Sequence, residues 1–143
     1  FMDKLAFGTY NKQIENPKTS YDWLTQNEEK VAAYVDDKNC GFTFTVNGFA
    51  TLFALIEGAQ KKENLKKIPA ELPVYIASGT KDPVGNYGTG VKEMYRVYEE
   101  AGLQDITMHL YEDDRHEILN EPDKEKVMAD IAEWIAKCLA IRA

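Results

Sequence analysis

Two short apolar segments separated by an amphipathic one constrain the fold more than any other feature of this sequence. Residues 72–79 (LPVYIASG) are rich in β-branched and aromatic residues, and residues 105–112 (DITMHLYE) repeat that pattern. Between them, residues 91–102 (VKEMYRVYEEAG) place apolar side chains at helical spacing and finish at Gly102, a residue suited to a helix C-terminus. Two apolar strands joined by a helix form a right-handed parallel β-α-β unit. The sequence therefore predicts an α/β fold.

Helical patterns flank this unit on both sides. The pattern of residues 47–68 has an apolar stripe at Phe49, Leu52, Phe53 and Ile56. The pattern of residues 123–143 predicts a final helix whose stripe is Val127, Ile131, Trp134, Ile135 and Cys138. Two strands are too few for a stable sheet, and a parallel sheet is normally covered on both faces. We therefore expect the second half of a larger α/β domain, with its other strands upstream of Phe1.

The overall composition argues against several classes of partner. At 143 residues the chain suits one domain. Its net charge of −7 argues against nucleic acid and against an anionic membrane surface, because both require an excess of Lys and Arg on one face. No run approaches the roughly 18 apolar residues of a membrane span. We predict a cytoplasmic protein without an integral membrane segment.

The two cysteines point to neither a metal site nor a redox motif. Cys40 and Cys138 lie far apart, and neither has a metal-ligand spacing to another cysteine or to a histidine. Cys138 falls on the apolar face of the last helix, which favours a buried, reduced thiol over a disulfide with Cys40. We predict no metal and no cofactor.

Residues 1–46 differ from the rest of the chain, because they are rich in aromatic residues, asparagine and lysine but show little regular pattern. A short helix is predicted after Asn27, a favoured N-cap residue that two glutamates follow. The segment is either a loop-rich region held to the core by its aromatic side chains or a mobile cap over a binding site. Composition alone leaves both interpretations open.

Polar residues follow each predicted strand at its carboxyl end, where open α/β sheets place their chemistry. Asp82 follows the first strand and His116 the second. The carboxyl ends of neighbouring parallel strands lie about 5 Å apart, so a hydrogen bond between this carboxylate and imidazole is expected. A carboxylate in that position fixes the tautomer of a histidine that acts as a base. Taken singly, Asp82 before a proline is also a common turn residue, and His116 between charged neighbours also suits an exposed loop.

Other residues near the strand ends provide contrasts. His109 lies within the second strand pattern, where a partly exposed sheet position is expected. Asp113 and Asp114 compete with Asp82 as partners of His116, but their sequence position places them on the exit turn of the strand. The loop GNYGTG, with Gly85, Gly88 and Gly90, suggests a dinucleotide site, with Glu112 at the position of a ribose-binding acid. Its spacing is G-x-x-G-x-G rather than G-x-G-x-x-G, and it is too long for the tight turn that approaches a pyrophosphate, so nucleotide binding is the less favoured alternative.

The segment P-V-x-I-x-x-G-x-x-D-P-V-G at residues 73–85 and the segment R-H-E-I-L-N-E at residues 115–121 resemble the C-terminal half of α/β-hydrolases. The chain is most similar to the monoacylglycerol lipase and lysophospholipase branch, which is grouped with serine aminopeptidase-like hydrolases. This resemblance implies that Asp82 is the catalytic acid and His116 the catalytic histidine. Residues 22–49 resemble the cap region of bacterial members. The resemblance implies that residues 1–46 are part of a helical cap and that residues 47–143 are the C-terminal part of the hydrolase core.

One family feature is missing from these residues, namely the nucleophilic serine of a G-x-S-x-G elbow. The sequence has two serines, Ser20 and Ser78, and neither stands in that context. Because the family order is Ser, Asp, His, the serine and the oxyanion hole are expected upstream of Phe1. We therefore expect the 143-residue chain by itself to have no esterase activity.

The resemblance implies a carboxylic-ester hydrolase that acts on a small lipid or ester. Aromatic residues of the cap are candidate walls of an acyl pocket, although each suits the core equally well: Phe7, Tyr10, Trp23, Phe42, Phe44, Phe49 and Phe53. The alternative is a fragment that binds a partner without catalysis. In either case we expect the missing N-terminal half, or another copy of the chain, to cover the exposed sheet.

Overall fold

The computed structural model describes residues 7–141. Residues 1–6 of the predicted cap and the last two residues of the final helix pattern lie outside the described range. The described elements are, in chain order, a 3₁₀ turn (Tyr10–Gln13), α1 (Glu28–Asp36), α2 (Val46–Gln60), α3 (Lys62–Leu65), β1 (Val74–Gly79), α4 (Thr89–Ala101), β2 (Ile106–Tyr111) and α5 (Lys124–Ile141).

The β-α-β unit is the centre of the molecule. β1 and β2 are parallel, with a register that runs from Val74 opposite Ile106 to Gly79 opposite Tyr111. α4 connects them and is capped at its C-terminus by Gly102, which has a φ of +105° in the left-handed region that favours glycine. The predicted α/β architecture and the parallel strand pair are confirmed.

The segment before β1 packs onto this unit and contributes to the same core. Asn27 caps α1 as predicted, because its side chain accepts hydrogen bonds from the main-chain nitrogens of Glu29 and Lys30. The buried apolar side chains come from nearly every part of the described chain: Leu24, Val31, Phe49, Leu65, Val91, Leu103, Tyr111 and Val127. One core therefore joins the N-terminal segment to the β-α-β unit.

The later turns of α2 and α5 are more exposed than their apolar stripes predict. Phe49 at the start of α2 is 3% exposed, whereas Phe53 is 45% exposed; Val127 and Ile135 show the same contrast in α5. Cys138, expected to be buried, is partly exposed, and both cysteines are free. The described part of the chain leaves Phe53 and Ile135 about half exposed, although Trp134 in the same part of α5 packs on Tyr75 with ring centroids 5.3 Å apart.

The pattern of residues 47–68 also predicted one continuous helix, but the structure divides it. α2 ends at Gln60, and the short helix α3 begins at Lys62. The side-chain nitrogen of Asn64 donates to the carbonyl oxygen of Gly58 at 2.8 Å, which occupies an acceptor at the end of α2. Among the described helices, none combines the length and the apolarity needed to cross a bilayer.

Candidate catalytic site

The loops that leave β1 and β2 stay paired beyond the ends of the strands. The main-chain nitrogen of Thr80 donates to the carbonyl oxygen of Tyr111 at 2.8 Å, and that of Lys81 donates to the carbonyl oxygen of Asp114 at 2.8 Å. This pairing carries the two chains side by side into the loops that contain Asp82 and His116.

Asp82 and His116 form a hydrogen-bonded pair across these loops. The His116 Nδ1 lies 3.2 Å from Oδ1 and 3.1 Å from Oδ2 of Asp82. Asp82 is 5% exposed, and its carboxylate also accepts from the main-chain nitrogen of Val84 at 2.8 Å and from the Ser78 hydroxyl at 3.2 Å. A carboxylate opposite Nδ1 favours the tautomer with its proton on that nitrogen, which leaves the lone pair of Nε2 free to accept a proton.

The two groups shift each other's pKa in opposite directions. Burial acts to raise the pKa of Asp82, but hydrogen bonds from His116, Val84 and Ser78 and the imidazolium charge outweigh it and lower that pKa below its ordinary value. The hydrogen bond to Asp82 raises the pKa of His116, and this gain together with the nearby negative charges outweighs the opposing effect of burial. The His116 side chain is 38% exposed, so a proton can reach it.

Among the described hydrogen bonds, the carboxylate that pairs with the His116 ring is that of Asp82. Asp113 and Asp114, the other two candidates, do not pair with this ring. The Asp113 carboxylate lies 3.6 Å from the Lys81 ammonium on the surface. Asp114 is buried with its Oδ2 unpartnered. Burial and the negative charges of neighbouring acidic residues raise the pKa of Asp114 to about 7. The predicted place of both aspartates, on the exit turn of β2, is confirmed.

His109 lies within β2, away from this pair. Its side chain is partly exposed, as predicted, and its ring stacks on that of Tyr111 with centroids 4.2 Å apart. Its Nδ1 is 3.6 Å from the Asp130 carboxylate, beyond a normal hydrogen bond. The two histidines of the chain therefore occupy different environments.

The glycine-rich loop between β1 and α4 is folded on itself. The main-chain nitrogen of Tyr87 donates to the carbonyl oxygen of Asp82 at 2.8 Å, and that of Gly90 donates to the carbonyl oxygen of Gly85 at 3.1 Å. A Cβ at Gly85 would lie 2.9 Å from the Val91 side chain and 3.1 Å from the Ser78 hydroxyl, so the loop packs tightly around the acid. The main-chain nitrogens of Val84 and Tyr87 thus donate to Asp82, and that of Gly90 donates within the loop, whereas a phosphate-binding loop directs such groups at its ligand.

Aromatic side chains lie beside the imidazole and continue into a cavity. The Trp23 ring is 5.2 Å from the His116 ring, and Tyr10 packs edge-on against Trp23 at 4.9 Å. A cavity of about 470 Å³ adjoins Trp23. Four of the aromatic residues expected in an acyl pocket line it: Phe7, Trp23, Phe42 and Phe44.

The other three expected residues do not line the cavity. Tyr10 contacts Trp23 edge-on without joining the lining, Phe49 is part of the buried core, and Phe53 is exposed on α2. The lining also contains residues that the sequence did not single out for this role, among them Tyr21, Tyr34 and Cys40. No sequence signal marks them, because they meet only in the tertiary structure, where the Tyr21 ring packs on Tyr34 at 5.0 Å and its hydroxyl donates to the carbonyl oxygen of Gly41 at 3.0 Å.

Comparison with known families identifies the chain. Residues 2–123 match the family model Hydrolase_4, described as serine aminopeptidase, S33. The chain belongs to the serine aminopeptidase S33 family. This family assignment confirms the wider resemblance to α/β-hydrolases, while the monoacylglycerol lipase and lysophospholipase branch stays a prediction.

Two solved structures place this S33 family chain among esterases and lipases in fold. A highly thermostable carboxyl esterase from Bacillus coagulans, in complex with glycerol, is 28% identical with a TM-score of 0.80. A lipase in its open form is 25% identical, also with a TM-score of 0.80. Each match covers 94% of this chain but 44% of the solved one, so the chain spans less than half the length of these structures. A search of the curated proteins finds no match.

Proposed function

We propose that this chain carries the acid and the base of a Ser-His-Asp triad in a carboxylic-ester hydrolase. The observation that carries the proposal is the hydrogen bond from His116 Nδ1 to the buried Asp82 carboxylate at the paired ends of β1 and β2. Membership of the S33 family and the similarity to a carboxyl esterase and a lipase support the same reaction class. The fold positions the two side chains in the loops that follow consecutive strands, so the pair forms within this chain.

The mechanism follows from the roles of the two groups. A serine hydroxyl attacks the ester carbonyl while His116 Nε2 accepts its proton, and the resulting imidazolium returns that proton to the leaving alcohol. Asp82 stays ionised, because its pKa is lowered, and it stabilises the imidazolium through Nδ1. Water then attacks the acyl-enzyme while His116 Nε2 accepts its proton, and that proton passes to the serine oxygen as the acyl–serine bond breaks and the carboxylic acid leaves.

The serine of this triad is proposed to come from protein outside these 143 residues. Ser78 is buried and its hydroxyl donates to the Asp82 carboxylate at 3.2 Å, so it supports the acid, and none of the described hydrogen bonds joins it to His116. Ser20 lines the aromatic cavity, and none of the described hydrogen bonds joins it to His116. Neither serine has the strand-to-helix setting of a nucleophile elbow.

An open groove marks where that additional protein is proposed to pack. β1 has β2 on one side and no strand on its other side among the described residues. A groove of about 740 Å³ runs along β1 and α4 and includes both Ser78 and Asp82. An N-terminal half of the same protein, or a second copy of the chain, would cover this edge and the exposed turns of α2 and α5.

The aromatic cavity is proposed to hold the acyl chain of the substrate. Its volume of about 470 Å³ and its lining by Phe7, Phe42 and Phe44 suit an apolar chain of a monoacylglycerol, a lysophospholipid or a shorter ester. Trp23 belongs both to the cavity wall and to the surroundings of His116. The ester end of an acyl chain bound in the cavity would therefore lie on the side of His116.

A fluorophosphonate probe, which labels only activated serines, tests the proposal on the longer protein that includes these residues. We expect labelling at a serine outside this chain, loss of labelling in His116→Ala, and retention in the matched control His109→Ala. The 143-residue chain alone is expected not to label and not to hydrolyse a p-nitrophenyl ester. Absence of labelling in the longer protein would favour a binding protein without catalysis, and labelling that survives His116→Ala would contradict the assignment of His116 as the base.

A further inference from the structure

A buried carboxylate joins the histidine loop to the N-terminal segment. Glu121 is 1% exposed. Its Oε1 accepts a hydrogen bond from the main-chain nitrogen of Arg115 at 2.7 Å. Its Oε2 accepts from the Thr25 hydroxyl at 2.9 Å and from the main-chain nitrogen of Gln26 at 2.8 Å. Each oxygen of this one carboxylate therefore holds a different segment.

The two segments that Glu121 holds also pair with each other. The main-chain nitrogen of Glu117 donates to the carbonyl oxygen of Leu24 at 2.7 Å, and that of His116 donates to the carbonyl oxygen of Trp23 at 3.4 Å. The Arg115 guanidinium also links the two segments, because its Nη1 donates to the carbonyl oxygens of Asp22 at 2.6 Å and of Thr25 at 3.1 Å. Residues 22–26 thus lie along residues 115–117, and these two segments together with Glu121 form the junction.

This junction contains both the base and part of the proposed acyl pocket. Arg115 immediately precedes His116, so the bond from its nitrogen to Glu121 anchors the backbone from which the imidazole projects. On the other side, Thr25 and Gln26 follow Trp23, whose ring lies 5.2 Å from the imidazole. A shift of either segment would change the angle at which His116 Nδ1 meets Asp82.

The chemistry of the junction requires a carboxylate. A buried carboxylate is costly unless several donors satisfy it, and here one hydroxyl and two main-chain N–H groups do so. A glutamine in its place has one acceptor oxygen and presents an NH₂ group to a remaining N–H donor, so at least one segment loses its partner. Because glutamine is nearly the same size as glutamate, Glu121→Gln changes the charge and the hydrogen bonds at this position with little change in packing.

We propose that Glu121 is a positioning residue for His116, because its carboxylate fixes residues 115–117 against residues 22–26 and so holds the imidazole opposite Asp82. The proposal rests on the proposed function in that it takes His116 as the base. It adds that the wall of the acyl pocket and the base are held by one group. Occupation of the pocket beside Trp23 is thereby linked to the alignment of the imidazole.

Titration of the histidines by NMR tests this role. The chain has two histidines, so His116 is assigned by loss of its signal in His116→Gln, and His109 serves as an internal reference. We expect Glu121→Gln to lower the pKa of His116 by at least half the shift that Asp82→Asn produces, with His109 unchanged. Glu125→Gln, which alters an exposed glutamate in the first turn of α5, is the matched control and is expected to leave both titrations unchanged.

A double variant separates positioning from the direct effect of removing a negative charge. If Glu121 acts through the alignment of His116 with Asp82, then Glu121→Gln causes no further shift in an Asp82→Asn background. An equal shift in both backgrounds would show a direct charge effect and overturn the proposal, as would an unchanged His116 titration in Glu121→Gln.

Thr25→Val provides a milder variant if Glu121→Gln does not fold. It removes one hydroxyl donor and leaves the bonds from Arg115 and Gln26 in place, so we expect a smaller shift of the His116 titration in the same direction. No shift in a folded Thr25→Val would then count against the proposal. The readout is the protonation of an imidazole rather than ester turnover, so an inactive longer protein would overturn the proposed function without deciding this test.

Discussion

Gly79, the last residue of β1, lies directly against the main chain of Asp114. A Cβ at position 79 would be 2.0 Å from the Asp114 carbonyl oxygen and 2.4 Å from that of Arg115. This close approach brings the loop after β2 over the end of β1 and allows the bond from the Lys81 nitrogen to Asp114. The glycine is required here by distance, since its φ is not among the positive values.

We therefore expect Gly79→Ala to destabilise the protein by about 3 kcal/mol, because the contacts are with main-chain atoms that no rotamer change can move. Gly58→Ala is the matched control, since a Cβ there meets nothing within 4 Å inside α2. That variant is expected to be neutral or to gain up to about 1 kcal/mol from helix propensity. Urea unfolding of both variants measures the difference, and a Gly79→Ala variant as stable as the wild type would contradict the close contact.

Asp82→Asn is expected to lower the pKa of His116, since the hydrogen bond to Asp82 is the largest cause of its elevation. In the proposed ester hydrolase, the acid limb of the pH–rate profile would move to lower pH, because His116 becomes neutral at lower pH. The turnover number would fall by about 10⁴-fold, as expected for a misoriented catalytic histidine. Asp113→Asn, in which an exposed neighbouring carboxylate is changed, is the control; a profile that shifts equally in both variants would argue against the assigned pair.

The same pair predicts how stability depends on pH. The raised pKa of His116 contributes stability below its ordinary value of 6.5, and this contribution is lost as the pH rises through the folded-state pKa. The lowered pKa of Asp82 contributes stability above its ordinary value of 3.8, and this is lost as the pH falls through its folded-state pKa. The difference in unfolding free energy between wild type and Asp82→Asn should therefore be largest between these two values. Denaturation series across that range measure it, and a difference that is flat with pH would contradict the charged pair.

The raised pKa of Asp114 predicts a dependence of stability on pH opposite to that of Asp82. Its raised pKa of about 7 means that the native state keeps a proton that the unfolded state releases above 3.8. Stability is thus lost as the pH rises from 3.8 to about 7, where the carboxylate becomes charged among Asp123 and Glu121. Asp114→Asn is expected to be about 1–3 kcal/mol more stable than the wild type above that range, because the buried group no longer ionises. Thermal melts at pH 5 and pH 8 measure this, with Asp113→Asn as the exposed control; equal effects at both pH values would contradict it.

The central part of the fold and the pairing of Asp82 with His116 follow from local sequence patterns. Two apolar strands joined by an amphipathic helix almost always form a right-handed parallel β-α-β unit. The carboxyl ends of its two strands then lie at the same edge of the sheet. The exposure of the later turns of α2 and α5 did not follow, because periodicity shows which face of a helix is apolar but not whether another layer covers it.

The junction at Glu121 is also beyond local patterns. Glu121 and Thr25 are separated by 96 positions, and neither residue belongs to a recognisable motif with the other. The sequence predicts the final helix from residue 123 and α5 begins at Lys124, but the buried acceptor that Glu121 provides for the N-terminal segment arises only from tertiary packing. The same holds for Tyr21, Tyr34 and Cys40 in the cavity wall.

The contact between Asp82 and His116 depends on the register of β1 and β2. Gly79 lies opposite Tyr111, and each of the two side chains follows its strand by a few residues. The smallest slip that keeps every side chain on its own face is two residues, about 6–7 Å, which is more than enough to separate the imidazole from the carboxylate. A single histidine resonance therefore reports whether the whole strand pair has assembled in the correct alignment.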